Sequence, residues 1–223
     1  MFDVTQPTPL DLRWRMFGIP IRVHPLFWLV AILLGPMDPR EGILWVVAVF
    51  VSILVHELGH ALSARAFGWW PSILLYSFGG LTFYEPRFQT VGQRIVVLVC
   101  GPLAGFLLAG LILGGVYLGG WPSHEMLGSL LEYFLVINIA WGVMNLLPVF
   151  PLDGGQISRT VLTWLNPRRG GLWASYLSIA VAAAVVVAAL IWLRSVYIAI
   201  LFGLLAFQEI SRLAYERRGR WDS

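Results

Sequence analysis

Six long apolar segments constrain the fold of this chain more than any other feature of its sequence. They cover residues 24–36, 43–67, 93–119, 127–147, 172–193 and 196–212. A helix that crosses the hydrocarbon core of a bilayer needs about 20 apolar residues, and only the first segment falls clearly short of that. Charged residues form 12% of the chain, about half of the roughly 25% found in soluble domains. We therefore expect an all-α polytopic membrane protein with about six transmembrane helices, and we leave open whether the first segment spans.

The arginines indicate how such a bundle is oriented. Positive residues concentrate on the cytoplasmic side of membrane proteins, and with a cytoplasmic N terminus only Arg40 and Arg194 fall outside. We expect both termini in the cytoplasm and the protein in a cell membrane, the bacterial inner membrane. The net charge of +3 then orients the helices within a lipid bilayer, and we expect no nucleic-acid partner.

The chain is predicted to form one domain over residues 1–223. A cytoplasmic N-terminal segment, 1–23, precedes the six-span core, 24–212, and a basic cytoplasmic tail, 213–223, follows it. The segment 17–23 alternates in hydropathy and contains Gly and Pro, so the first apolar segment is expected to begin in extended backbone.

Residues 70–88 are apolar and aromatic, but they are too short and too broken to span a membrane. Gly79 and Gly80 lie between two β-favouring runs, which predicts a small membrane-associated β-hairpin. Unpaired backbone groups are costly in lipid, so this hairpin must be buried against the helices or line a wet cavity. That requirement favours a functional site nearby.

The motif His-Glu-Leu-Gly-His at residues 56–60 carries the strongest chemical signal. Its i, i+4 spacing puts the imidazoles of His56 and His60 on one helix face, where they can share a zinc ion. Glu57 lies beside them, where it can take a proton from a water molecule. Composition predicts roughly 0.002 chance matches to this motif, and ionisable residues inside a membrane are usually functional. A structural or transport zinc site is the alternative to catalysis.

A catalytic zinc site uses three protein ligands, so a third must come from another part of the chain. His56 lies roughly 16 Å from the cytoplasmic end of its segment, at 1.5 Å per residue. Asp153 follows the cytoplasmic end of segment 127–147, in an irregular stretch rich in Pro and Gly, and is the predicted third ligand. An N-cap is the alternative role for Asp153, and Glu209 is the reserve ligand.

Two motifs together resemble one family of membrane enzymes. HELGH at 56–60 and NLLPVFPLDGG at 145–155 look like the paired signature of the site-2 protease family of intramembrane zinc metalloproteases. Three further stretches support the resemblance, which covers roughly residues 14–165: FGIPIRVHP (17–25), FGG (78–80) and CGPLAGF (100–106). The resemblance implies that His56, His60 and Asp153 bind one Zn²⁺ per chain and that Glu57 is the general base and acid.

The resemblance also implies how substrate is held. Asn145 would position or stabilise the reacting carbonyl, and the hairpin around Gly79 and Gly80 would bind an unwound substrate as an added strand. One departure concerns Gly105, where many family members have Asn. It leaves a small-residue face from Gly101 to Gly105, which we interpret as close helix packing.

The predicted function is that of a zinc-dependent intramembrane endopeptidase. Its substrates would be transmembrane segments of membrane-tethered regulatory proteins or signal-peptide remnants, and the chain resembles a minimal family member without a PDZ or CBS domain. A zinc transporter or sensor with the same ligands is the alternative, although transport needs polar residues along a path and here they cluster at one depth. His24 resembles a family position, but a histidine at the membrane interface before Pro25 does not require a catalytic role.

Overall fold

A computed structural model describes residues 8–77, 79–86 and 88–218, with side chains as far as Tyr215. Parts of the predicted N-terminal segment, hairpin and basic tail therefore lie outside the described residues, namely residues 1–7, Phe78, Arg87 and 219–223. The described elements, in chain order, are β1 Leu12–Met16, β2 Ile19–Val23, α1 Pro25–Leu33, α2 Pro39–Ala66, β3 Ser72–Tyr76, β4 Gly79–Phe83, α3 Val91–Gly119, α4 Glu125–Asn145, α5 Asp153–Leu165, α6 Gly170–Ile191 and α7 Val196–Arg218.

Within the described residues, five helices are long and apolar enough to cross a membrane: α2, α3, α4, α6 and residues 196–215 of α7. The prediction of a helical membrane protein is confirmed, but the expected sixth span is a short helix. At 1.5 Å per residue, the nine residues of α1 extend about 14 Å, against the roughly 30 Å of the hydrocarbon core. The apolar segment 24–36 ends early as a helix because Gly35 and Pro36 follow its C-cap, Leu34.

The described residues form two compact units, and the first comprises those of residues 8–89 that the structure describes, together with Val99–Val143. Its four strands form one sheet in the order β1-β2-β3-β4. β2 and β3 pair in parallel, whereas the two outer pairs are antiparallel hairpins. One face of this sheet packs on α1 and α2 to form an apolar core that includes Ile21, Val23, Ile73, Phe27 and Leu58.

The predicted hairpin is present as β3 and β4, but its turn lies earlier than the glycines suggested. Ser77 has a positive φ of 49°, and Gly79 and Gly80 are the first two residues of β4. The sequence indicated extended backbone before α1 but not a second hairpin. Its turn at Phe17 and Gly18, both with positive φ, joins β1 to β2.

The second unit comprises residues 90–98 and 144–218 among those described. In it, α5, α6 and α7 pack around a core that includes Val149, Ala182 and Phe202. The backbone nitrogen of Phe150 donates to Ser178 Oγ at 2.9 Å, which ties the stretch before α5 to α6. The guanidinium groups of two arginines, Arg159 and Arg212, lie over the Phe150 ring at 5.7 and 5.5 Å.

Candidate metal centre

Three residues of the HELGH motif lie buried in the interior of α2. His56, Glu57 and His60 are 4%, 5% and 6% exposed. The Nε2 atoms of the two histidines are 3.2 Å apart. Two nitrogens bound to one tetrahedral zinc at 2.0–2.1 Å lie about 3.3 Å from each other, so the two imidazoles fit a shared zinc ion without rearrangement.

Close approach of α3 fixes the histidine face of α2. A Cβ atom at Gly59 would lie 2.2 Å from the Cys100 carbonyl oxygen, and one at Gly101 would lie 2.2 Å from His60 Nε2. Neither position has room for a side chain. A Cβ at Gly105 would lie 3.1 Å from Asn138 Oδ1, so the predicted packing role of the Gly101–Gly105 face is confirmed.

Strand β4 lies against Glu57. Thr82 Oγ1 is 2.7 Å from Glu57 Oε2 and donates to that carboxylate. A Cβ atom at Gly80 would lie 2.2 Å from Glu57 Cγ. The Glu57 side chain occupies the space that a side chain at residue 80 would need, so only glycine fits there without a shift. The sequence analysis did not identify Thr82 as a site residue. Thr82 lies two positions after Gly80, and residues two apart in a strand face the same side, so this spacing could have placed Thr82 on the same face as Gly80.

Asp153 is the first residue of α5 and is 7% exposed. The N-cap of that helix is Leu152, and no side chain caps it, so the alternative role of Asp153 as an N-cap is wrong. His56, His60 and Asp153 are all buried, and each can offer one ligand atom to a metal ion. Two imidazoles and a carboxylate are a ligand set that zinc accepts.

Glu209, the reserve ligand, is already bound to other groups. Its carboxylate accepts hydrogen bonds from Arg212, with Nε 2.9 Å from Oε2 and Nη2 in contact with Oε1. Arg212 Nη2 also donates to Ser175 Oγ at 2.8 Å. This buried ion pair explains Glu209 without a metal, and it favours Asp153 as the third ligand.

The other predicted site residues have different environments. Asn145 is buried as the last residue of α4. A Cβ at Gly79 would lie 3.3 Å from the ring of Trp141, so this glycine faces an aromatic side chain and not the carboxylate. His24 is the N-cap of α1, and its Nδ1 accepts from the Leu26 nitrogen at 3.1 Å. A capping role accounts for this histidine.

Comparison with known proteins agrees with this geometry. A family model described as Peptidase family M50 matches residues 44–127 and 119–189. The chain belongs to peptidase family M50. The matched residues include α2 with its HELGH motif and the start of α5 with Asp153, so both parts of the predicted signature lie inside the match. The resemblance inferred from the motifs is confirmed.

Relatives of this M50 chain include a zinc metalloprotease of Methanocaldococcus jannaschii, 31% identical over 67% of the chain and 44% of the relative. Stage IV sporulation protein FB of Bacillus subtilis is 30% identical over 65% of the chain and 48% of the relative. The chain thus spans about half the length of these curated relatives. A solved structure described as the site-2 protease from Methanocaldococcus jannaschii has the same fold, with a TM-score of 0.59 and 24% identity over 90% of this chain and 94% of that one.

Proposed function

We propose that the chain is a zinc-dependent endopeptidase that cleaves transmembrane segments of other proteins within the membrane. The observation that carries this proposal is the approach of His56 Nε2 and His60 Nε2 to 3.2 Å beside Glu57, on a helix apolar enough to span. A buried ionisable group in a membrane-spanning helix is expensive and usually functional, so the Glu57 carboxylate beside the predicted ligands supports a catalytic role. Membership of family M50 supports the same chemistry.

The roles of the residues follow from their positions. His56, His60 and Asp153 would hold one zinc ion per chain, which when bound would supply Lewis-acid activation of the attacking water and the scissile carbonyl. Glu57 would take the proton from that water and deliver it to the leaving amine. The hydrogen bond from Thr82 Oγ1 to Oε2 orients the carboxylate for this transfer. Asn145 would help to position the reacting carbonyl.

Strand β4 is the proposed binding edge for substrate. Among the described strands it ends the sheet and pairs only with β3. A transmembrane helix hides its amides in internal hydrogen bonds, so it must unwind before a water molecule can attack one of them. Pairing of the unwound segment with the free edge of β4, beginning at Gly79 and Gly80, would satisfy its exposed backbone groups. The contact of Thr82 with Glu57 would then bring that segment beside the carboxylate.

We further propose that both termini are cytoplasmic and that the protein lies in the bacterial inner membrane. If the five candidate spans cross the membrane in alternating directions, Arg65, Arg94 and Arg168 would fall on one side and Arg40 and Arg194 on the other. The N-terminal strands would then belong to the arginine-rich side, because β2 pairs with β3, which follows α2 in the chain. The proposed substrates are membrane-tethered regulatory proteins or signal-peptide remnants, cleaved by one domain that extends over residues 1–223.

The Glu57→Gln variant tests the proposal in the full chain reconstituted in lipid vesicles with a transmembrane peptide substrate. General acid–base catalysis contributes about 10²–10⁴-fold, so cleavage measured by mass spectrometry should fall at least about 100-fold while zinc content is kept. Cleavage by this variant at the wild-type rate would contradict the proposal. Zinc uptake into sealed vesicles that His56→Ala abolishes and Glu57→Gln leaves unchanged would instead favour a transporter.

A further inference from the structure

The four-stranded sheet has an outer face that the proposed catalytic chemistry does not use. Its inner face carries Ile21, Ile73 and Leu75 into the core with α2. Because side chains alternate along each strand, the residues between these point the other way. Cross-strand pairing aligns four of them in one row: Arg13 with Arg22, Arg22 with Leu74, and Leu74 with Leu81.

This outer face changes character from one side to the other. The β1 and β2 side carries arginines, with Arg15 lying opposite Pro20 next to the Arg13–Arg22 pair. The β3 and β4 side carries apolar residues, with Phe83 lying opposite Ser72. A cavity of about 590 Å³ opens on the face and is lined by residues from both sides, including Arg13, Arg15, Arg22, Leu74 and Phe83. Its volume lies within the range of small-molecule sites, about 300–1,000 Å³.

The cavity is positively charged even after its nearest acidic neighbour is counted. Asp11 has a fully buried side chain, with Oδ2 3.4 Å from Arg22 Nη1 and 3.5 Å from Arg13 Nη2. Burial raises the pKa of this carboxyl. Hydrogen bonds from Thr8 and the positive charge of Arg22 lower it by more, so the pKa of Asp11 is below its usual value. Three arginines and one aspartate leave a formal charge of +2, and the side chain of Arg13 is 52% exposed.

The position of the cavity relative to the spans indicates which anions reach it. Arg65, in the last turn of α2, donates to the carbonyl oxygen of Phe17 in the β1–β2 turn. The 28 residues of α2 extend about 42 Å at 1.5 Å per residue, which exceeds the roughly 30 Å hydrocarbon core. At least one end of α2 therefore lies outside the hydrocarbon core, and the charged Arg65 in the last turn leads us to put this end, with the turn bound to it, at headgroup level.

Exposed apolar side chains lie at the cavity and at the end of α2. Phe83 lines the cavity and is exposed, Phe17 is exposed in the turn that Arg65 contacts, and Trp70, four residues after the end of α2, is 91% exposed. Exposed apolar and aromatic residues beside a basic patch are typical of contact with a lipid interface. A peptide with acidic side chains would use the arginines but would have no use for the apolar side of the face.

We propose that the cavity on the outer face of the sheet binds the phosphate headgroup of an anionic phospholipid. Arg13, Arg15 and Arg22 contact the phosphate, and the acyl chains lie along the apolar side formed by Leu81 and Phe83, which are 48% and 43% exposed. An arginine near an anionic membrane surface contributes about 1 kcal/mol, which corresponds to about fivefold in affinity. The bound lipid then holds the sheet, and with it β4, at a set depth.

Binding of short-chain lipids to the purified full chain in detergent tests this site. The probes are dioctanoyl-phosphatidylglycerol and dioctanoyl-phosphatidylcholine, with affinities measured by native mass spectrometry. We expect the wild type to prefer the anionic lipid at least fivefold, and Arg13→Gln/Arg15→Gln to lose that preference. The single variant Arg15→Gln should lose about fivefold, and because the structure gives Arg15 no ion pair among the described residues, its fold is not at risk. Replacement of Arg13 and Arg15 by Lys should keep most of the preference.

Arg168→Gln/Arg169→Gln is the matched control. It removes the same charge from two exposed arginines between α5 and α6, so it should bind the anionic lipid like the wild type. Equal loss in this control, or a wild type without lipid preference, would overturn the proposal. Displacement of the lipid by inorganic phosphate at equal concentration would point to a free-phosphate site, and tighter binding of a hexaglutamate peptide would point to a peptide site. Either result also overturns the proposal.

Discussion

Gly80 should control the activity of the site through the position of Glu57. A Cβ atom at this residue would lie 2.2 Å from Glu57 Cγ, 2.4 Å from Cδ and 2.5 Å from Oε1. Ordinary contact begins at 3.4 Å, so Gly80→Ala requires a displacement of about 1.2 Å. The atoms that the new methyl group meets belong to a side chain, so Glu57 can rotate aside while the backbone of β4 stays in place.

The expected result is a loss of activity without a matching loss of stability or metal. A misplacement of about 1 Å can cost about 100-fold in rate, or about 2.7 kcal/mol of transition-state stabilisation. Since the three atoms nearest to the new methyl group all belong to Glu57 and none to a predicted zinc ligand, zinc per chain should stay at the wild-type value. Cleavage of a transmembrane peptide, metal content and thermal unfolding would be measured on the same preparations.

Gly79→Ala is the matched control in the same strand. Its Cβ would lie 3.3 Å from the Trp141 ring, which a shift of a tenth of an ångström or so relieves. We expect this variant to cleave within about threefold of the wild type, well short of the loss that a misplacement of about 1 Å brings. Equal losses in the two variants would refute the reasoning from Glu57 and show that both glycines act on strand geometry or on substrate pairing. An active Gly80→Ala enzyme would refute it as well.

Three further predictions concern single contacts. Thr82→Val removes the hydroxyl that donates to Glu57 Oε2. Hydrogen bonds to charged groups contribute about 1.5–3 kcal/mol, so the cleavage rate should fall by about 10-fold or more. Thr82→Ser keeps the donor and should keep most of the rate, and equal rates in the two variants would contradict this role. Asp153→Asn should lower the amount of zinc per chain, measured by atomic emission. Glu209→Gln should leave the zinc content unchanged and lower the unfolding temperature, because Glu209 pairs with Arg212. Loss of zinc in Glu209→Gln alone would reverse the assignment of the third ligand. The lowered pKa of Asp11 means that its carboxylate stabilises the fold above the unfolded value of 3.8, and that this stability is lost as the pH falls through the lower folded value. The difference in unfolding temperature between the wild type and Asp11→Asn should therefore be full at neutral pH and shrink only below about pH 3.8, and a difference that grows with acid would contradict it.

The sequence could pair His56 with His60 because their geometry is local. Residues four apart on a helix always face the same side, so His56 and His60 needed no knowledge of the rest of the fold to be paired. The helix context was also secure, since segment 43–67 is too apolar and too long for any other structure in a membrane. The Nε2 separation of 3.2 Å is what that local rule leads one to expect.

Features that depend on strand register were beyond this reasoning. The role of Thr82 requires β4 to lie along α2 at the level of Glu57, and no spacing rule connects residues 25 positions apart. The same holds for β1, which is defined only by its pairing with β2. Hydropathy also gives the length of an apolar segment but not the point at which its helix ends, so α1 was predicted as a longer element than the nine residues observed.

Glu209 shows a case in which the sequence held more information than the prediction used. Glu209 and Arg212 are three positions apart, a spacing that pairs opposite charges on one helix face. A buried carboxylate that has an arginine at that spacing has a partner and needs no metal. Asp153, in contrast, has no basic residue within four positions in either direction. The spacing of Glu209 and Arg212 alone is a reason to expect the third ligand at a position other than Glu209.

The polar side chains of α2 differ in their hydrogen-bond partners, and this difference bears on the proposed zinc site. Ser52 Oγ accepts from Asn138 Nδ2 at 2.8 Å, and Ser63 Oγ is within hydrogen-bond distance of two backbone carbonyls of its own helix. Such contacts let a spanning helix carry a polar group at low cost. His56 and His60 are different, since their Nε2 atoms face each other. If one imidazole donates to the other, the donor is the Nε2–H tautomer and the acceptor the Nδ1–H tautomer, whereas a zinc ion would use the Nε2 lone pairs of both. The 3.2 Å separation is about the spacing of two nitrogens on one tetrahedral zinc, so it is compatible with the shared cation that the proposed function requires.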